Sequence, residues 1–401
     1  MPGCKGLNFA PMSHELYDLF ETVYTPYFSN SEGAARIADR IEVHRFDHRP
    51  GLEGVRVALF GVLDGRNSGD NEGCAAAPDA IRERLYRLMP HRGWMPTVDL
   101  GNLRPGVTSQ DTHAAVRMVV NELVTMGIVP VVLGGGQDLT VPMYEALSVL
   151  GEPLNVVTWD ARLDFGADPG ATTAANYMND IVLAEPNRLF DYVNIGHQGY
   201  LTDADTLELL DKMQFDAKRL GLVHDDVEAM EPILRDADLV SIDMQAVRGA
   251  DHPAHAEAGP NGLDAQQVCR LGRYAGMSDR LKAIGLFEHN PDLDVRHLGS
   301  ELCGQVVWHI LEGIFSQKAD YPKCTKDAYQ RYVVDLENVR HEVVFYKSPR
   351  SDRWWMEVPF PPRKGNDLRR ELLISCSYAD YQDAAEGNLP DRWWKTFQKL
   401  A

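Results

Sequence analysis

The polar residues with chemical potential in this chain directly follow short apolar runs. Leu154-Asn155-Val156-Val157-Thr158-Trp159 leads into Asp160-Ala161-Arg162-Leu163-Asp164, and Leu239-Val240-Ser241-Ile242 leads into Asp243-Met244-Gln245. Alternate side chains of an extended strand point the same way. The spacing therefore predicts Asp160, Arg162 and Asp164 on one face, and Asp243 with Gln245 on another. A third run ends in Gly134-Gly135-Gly136-Gln137-Asp138 and a fourth in Glu288-His289-Asn290-Pro291. Acidic residues after strands often cap helices or face solvent, and one D-x-x-x-D would mean little. Four such ends in one chain are read as a single site.

Other groups are weaker. His252-Pro253-Ala254-His255, with Asp251 and Glu257 nearby, has the H-x-x-H form of a zinc pair. The proline and loop setting argue against a helical ligand pair, so a solvated loop near the site mouth is expected. Gly134-Gly135-Gly136 lacks both the lysine of a P-loop and G-x-G-x-x-G spacing. His197 follows Asn194-Ile195-Gly196 and is expected to line the pocket. The six cysteines (Cys4, Cys74, Cys269, Cys303, Cys324, Cys376) show no helix-start pattern that would lower a thiol pKa, which argues against a nucleophilic cysteine.

The elements that must position these groups are legible as alternating patterns. Val55 to Val62, Val129 to Leu133, Leu154 to Trp159, Tyr192 to Ile195, Leu239 to Ile242 and Ala283 to Phe287 read as buried strands. Helical periods over Pro78 to Leu88, Asp111 to Met126, Val141 to Leu150 and Asp264 to Met277 lie between them. Strand and helix in alternation predict a mostly parallel sheet with helices on both faces. Ligands of such sheets bind along the edge formed by the strand C-terminal ends. An amphipathic helical pattern covers Glu15 to Phe20.

Composition bounds the partners. The 401 residues carry 40 Lys+Arg against 59 Asp+Glu, a net charge of −19, which argues against a nucleic-acid partner. No run approaches the roughly 20 apolar residues of a membrane span, and no signal peptide is visible. Scattered cysteines without C-x-x-C fit reduced thiols, so a cytoplasmic location is expected. After about Gln317 the text turns aromatic, with Arg353-Trp354-Trp355-Met356 and Asp391-Arg392-Trp393-Trp394. Val343 to Tyr346 and Trp354 to Val358 read as an antiparallel strand pair. Residues 1–50, 51–316 and 317–401 are expected to form an N-terminal extension, the main domain and an aromatic C-terminal extension. That extension is expected to pack on the main domain or on another subunit of a homo-oligomer.

Taken in order, these segments resemble the ureohydrolase family of arginase, agmatinase and formimidoylglutamase. The family's G-G-[GD]-H, D-A-H-x-D, S-x-D-x-D and E-x-N-P segments match Gly134 to Gln137, Asp160 to Asp164, Ser241 to Gln245 and Glu288 to Pro291. A family segment of the form G-A-x-x-x-P-x-A-I-R matches Gly73 to Arg82, and the glycine-rich loop is recognisable as Gly259-Pro260-Asn261-Gly262-Leu263. The resemblance covers about residues 50–316 and implies a three-layer α/β/α fold with a pair of manganese ions at the strand ends.

The departures matter as much as the match. Of the six ligand positions the resemblance implies, Asp160, Asp164 and Asp243 keep an aspartate, whereas Gln137, Arg162 and Gln245 replace histidine, histidine and aspartate. The family's four carboxylates balance two divalent ions. Here three carboxylates and one guanidinium, −3 and +1, sum to −2, which matches one ion or none. Arginine carries a fixed charge and cannot become a ligand. Arg162 is therefore expected to stand in for a metal ion by pairing with Asp160 and Asp243. One manganese ion at most is expected, held weakly by Asp160, Asp164, Asp243 and the Gln137 carbonyl.

No histidine occurs from Ala161 to Gly196, where the resemblance implies a proton shuttle. Glu288, which the resemblance assigns to the substrate's cationic head, is kept, so a guanidino or amine ligand is expected. The expected function is a catalytically weak or inactive binding or scaffold protein with a degraded binuclear site and no assigned catalytic residue. The alternative is an active hydrolase of linear amidines with a mononuclear or altered metal site.

Overall fold

The structure is a computed structural model describing residues 17–23, 35–166, 170–321, 326–336, 341–360 and 371–400. Ten strands form the main sheet. The first five are β1 (Phe20–Glu21), β2 (Glu42–Val43), β3 (Val57–Val62), β4 (Thr97–Leu103) and β5 (Val129–Leu133). The others are β6 (Leu154–Trp159), β7 (Leu189–His197), β8 (Asp216–Arg219), β9 (Leu239–Asp243) and β10 (Ala283–Phe287). Their spatial order is β1-β4-β3-β5-β10-β9-β6-β7-β8, with β2 beside β4. Only β1 runs antiparallel to its neighbour.

Helices cover both faces, as nearly all-apolar strands require. They are α1 (Ala77–Leu85), α2 (Ser109–Thr125), α3 (Thr140–Ser148), α4 (Met178–Val182), α5 (Ala204–Lys212), α6 (Leu220–Asp225), α7 (Glu231–Arg235), α8 (Ala265–Gly276) and α9 (Leu298–Phe315). Pleat alternation divides the core. Val57 and Leu59 of β3 belong to the core that includes Ile81, Val268 and Val306, whereas Ala58, Phe60 and Val62 belong to that of Val116, Met143 and Met178. The expected three-layer α/β/α architecture is thus present. Among the described residues no helix is long and apolar enough to cross a membrane.

Two element readings need correction. Phe20 and Glu21 form an edge strand on β4 rather than a helix, and Glu15 and Leu16 lie outside the described residues. Strand β4 was not expected because Asp99 and Asn102 interrupt its apolar run. Arg82 of α1 makes those residues tolerable: its Nε and Nη2 donate to Asp99 at 2.7 and 3.0 Å, and its Nη1 donates to Asn102. A buried carboxylate is stable only with such partners.

The C-terminal segment forms a second sheet from β11 (Gln330–Leu336), β12 (His341–Lys347), β13 (Trp354–Pro359) and β14 (Glu371–Cys376), followed by α10 (Tyr378–Ala385) and α11 (Asp391–Leu400). The expected antiparallel pair is there, with Phe345 opposite Met356. This sheet meets the starting ends of the main strands. Arg235 Nη2 donates to the Trp354 and Cys376 carbonyls at 3.1 and 2.9 Å, and its guanidinium lies 4.8 Å from the centre of the Trp355 ring. Asp236 accepts from the Ser375 amide and hydroxyl, and Lys395 reaches Asp216 at 2.5 Å.

Candidate functional site

Strands β5, β10, β9 and β6 are adjacent at the centre of the main sheet, and their C-terminal ends carry the four predicted polar segments. After β5 the chain turns through Gly134 and Gly135, at φ 71° and 78°. A Cβ at Gly135 would stand 2.8 Å from the Asp64 carbonyl, so glycine is required twice over, by conformation and by space. The loop is stitched to the next strand end by a bond from the Glu288 amide to the Gly135 carbonyl, at 3.0 Å. Gln137 emerges from it with no exposed surface.

The Gln137 side chain sits at the centre of the constellation. One orientation of its amide satisfies both ends: the oxygen accepts from the Tyr177 hydroxyl at 3.1 Å, and the nitrogen faces Asp160, Asp164 and Asp243 at 2.9, 3.1 and 3.2 Å. The opposite orientation offers a 3.3 Å bond to Ser241 but turns the oxygen toward three carboxylates. Lone-pair repulsion disfavours that arrangement, so the first is assigned. Burial raises all three aspartate pKa values, and neighbouring carboxylates push Asp164 and Asp243 well above the usual range.

Arg162 departs from expectation. The chain leaves extended geometry at Asp160, whose carboxylate accepts from the Arg162 amide at 2.7 Å, and Asp164 adopts φ 51°. The Arg162 side chain, 37% exposed, is turned to Glu257 at 3.0 Å instead of pairing with Asp160 and Asp243. Gln245 Nε2 donates to the same Glu257 oxygen at 2.7 Å. Two of the substituted positions are therefore joined through one glutamate, which the sequence reading had left in a solvated loop.

The histidines of that loop are buried, whereas Glu257 itself stays exposed, as a solvated loop would have it. His252 is fully buried and His255 is 8% exposed, with its Nε2 4.0 Å from Glu288. Glu288, at φ 63°, accepts from Ser68, Asn71 and the Gln137 amide at 2.7, 2.7 and 2.9 Å. Burial nevertheless raises its pKa to about 7. His197 ends β7 beside Arg219 of β8, and among the described residues no hydrogen bond joins it to Gln137 or the three aspartates. Tyr177, Ser68 and Asn71 had no sequence signal, because Tyr177 reaches the site from the start of α4 and the other two from the short turn ahead of α1, none of them at the end of an apolar run. A cavity of about 760 Å³ lies elsewhere, between the second sheet and the strand starts, lined by Phe190, Ile233, Phe360 and Leu372 among others.

The arginase family model matches residues 55–312. The chain belongs to the arginase family. Formimidoylglutamase of Photorhabdus laumondii is 25% identical over 333 residues, covering 76% of this chain and 95% of that protein. The Salmonella paratyphi C formimidoylglutamase is 28% identical over 272 residues, covering 64% and 84%. Among solved structures, the Bacillus subtilis formimidoylglutamase superposes with a TM-score of 0.65 at 18% identity, covering 76% of this chain and 98% of that one. Trypanosoma cruzi formiminoglutamase, solved with Mn²⁺, gives 0.63 at 19% identity, covering 71% and 100%. The fold is thus that of the arginase family, and the sequence is formimidoylglutamase-like.

Proposed function

We propose that this arginase-family chain is a weak or inactive catalyst that serves as a binding or scaffold protein, its binuclear manganese centre replaced by a hydrogen-bonded plug. The observation that carries this reading is the Gln137 amide nitrogen within 2.9–3.2 Å of three aspartates. An NH₂ group fills with hydrogens the point from which a cation would draw three carboxylates. Turning the amide over offers one carbonyl oxygen, a donor set suited to one manganese ion and no more. At the second ion's position Arg162 and Gln245 present donors held by Glu257, and a guanidinium repels a divalent ion. The residues present do not fit a pair of manganese ions, so no catalytic step is derived through them.

A ligand with a guanidino or amine head suits the acidic strand ends. To engage Glu288 it would have to displace donors already placed there by Ser68 and Asn71. A second reading, an active hydrolase of linear amidines with one ion, is favoured by the intact Asp160, Asp164 and Asp243 trio and by the formimidoylglutamase relatives.

Metal analysis after exhaustive dialysis against Mn²⁺ tests the first reading, with well under two ions per chain expected; a retained pair sinks it. Ammonia, formamide or urea release across a panel of guanidino and formimino compounds separates the two readings. Turnover that requires Asp243 would establish the second.

A further inference from the structure

Behind the strand-end constellation lies a second cluster that the proposed function does not use. His252 from the loop after β9, His289 from the turn after β10 and Cys303 from α9 are all fully buried. One ligand atom from each lies within 4.8 Å of the other two. His252 Nε2 is 3.0 Å from His289 Nδ1. The backbone of α9 is pressed against the rings: a Cβ at Gly299 would stand 3.0 Å from His252 Cδ2 and 3.1 Å from His289 Cε1.

The hydrogen-bond chain fixes the tautomers. Asp294 accepts from the Gly299 amide, the Ser300 amide and the Ser300 hydroxyl at 2.8, 2.8 and 2.6 Å. Having given its proton to Asp294, the Ser300 hydroxyl accepts from His289 Nε2 at 3.0 Å. His289 Nδ1 therefore bears a lone pair directed at His252. His252 Nε2–H donates to it, which leaves His252 Nδ1 as a buried acceptor with no partner among the described residues. An imidazole whose far nitrogen is anchored through a hydroxyl to a carboxylate has the supporting shell of a metal ligand.

We propose that His252 Nε2, His289 Nδ1 and Cys303 Sγ form a zinc site distinct from the aspartate cluster. Zinc takes nitrogen at about 2.0–2.1 Å and thiolate at about 2.3 Å. Across a tetrahedral angle two such nitrogens stand about 3.3 Å apart, so the observed pair opens by only about 0.3 Å. Binding removes the Cys303 proton, and His252 stays neutral by moving its proton to Nδ1, so one proton is released per ion. Charge selects a divalent ion, since +2 with the Cys303 thiolate and the Asp294 carboxylate sums to zero whereas a monovalent ion would leave the buried group negative, and the two imidazoles with one thiolate suit zinc among the divalent ions. The ion would pin the loop carrying His255 and Glu257 to α9, and this assignment does not depend on the function proposed above.

The test uses the full chain, stripped with a chelator and titrated with Zn²⁺ or Co²⁺ alone. One tightly held zinc per chain is expected, with a thiolate-to-cobalt charge-transfer band on cobalt substitution. Asp243→Asn should keep both, which excludes the aspartate cluster as their source. Cys303→Ser should abolish the band, and Ser300→Ala should weaken zinc 10- to 100-fold. A wild-type chain with no zinc and no cobalt–thiolate band overturns the assignment, as does a folded Cys303→Ser chain that binds zinc as tightly. Retention of Cu⁺ in preference to Zn²⁺ overturns the choice of metal. The wild-type cobalt spectrum decides the matter even where Cys303→Ser does not fold.

Discussion

At Gln137, Arg162 and Gln245, donors stand where the family resemblance places ligands. An amide NH₂ or a guanidinium offers hydrogens; an imidazole or carboxylate offers lone pairs. Gln137→His, Arg162→His and Gln245→Asp combined are expected to confer tight Mn²⁺ binding, read by titration calorimetry against the wild-type chain. Binding no stronger than wild type would mean that Tyr177 and Glu257, which hold the present side chains, impose a geometry the ions cannot use. The four strand-end segments were legible in the sequence because each follows an apolar run. The direction of Arg162 was not, since it depends on the turn closed by Asp160 and on Glu257, 95 residues away. The same holds for His252 and His289, which meet only through the packing of α9.

The elements show a parallel division. Strands β5, β6 and β10 match their apolar runs residue for residue, because burial on both faces leaves little freedom in composition. Strand β4 was hidden by its own polar residues, which are intelligible only beside Arg82. Breaking a buried pair leaves an uncompensated charge. Arg82→Met is therefore expected to cost about 4 kcal/mol of unfolding free energy in urea. Asp99→Asn in the same background should recover part of that loss. A single-variant cost under about 1 kcal/mol would remove Arg82 as the reason β4 tolerates Asp99.

Across the whole molecule, the aromatic C-terminal sheet is fastened to the main one partly by charge. Burial would raise the Asp216 pKa, but Lys218 and the 2.5 Å contact with Lys395 outweigh it and hold the carboxyl below its ordinary value of 3.8. A carboxylate depressed in the folded state stabilises it above that ordinary value, and the contribution fades as pH falls through the folded one. The difference in unfolding free energy between the wild-type chain and Asp216→Asn should thus be level above about pH 5 and shrink below about pH 4. A difference unchanged down to pH 2 would show that Lys395 does not act through this carboxylate.

The second sheet grips the beginnings of the main strands, whereas the aspartates and Gln137 gather at their finishing ends. Strands of five or six residues at roughly 3.3 Å each separate the two by about 18 Å. Immobilised on a sensor chip through its last helix, the molecule would turn its acidic mouth outward to the flowing solution. Attachment at either edge of the sheet would leave the other edge facing solution.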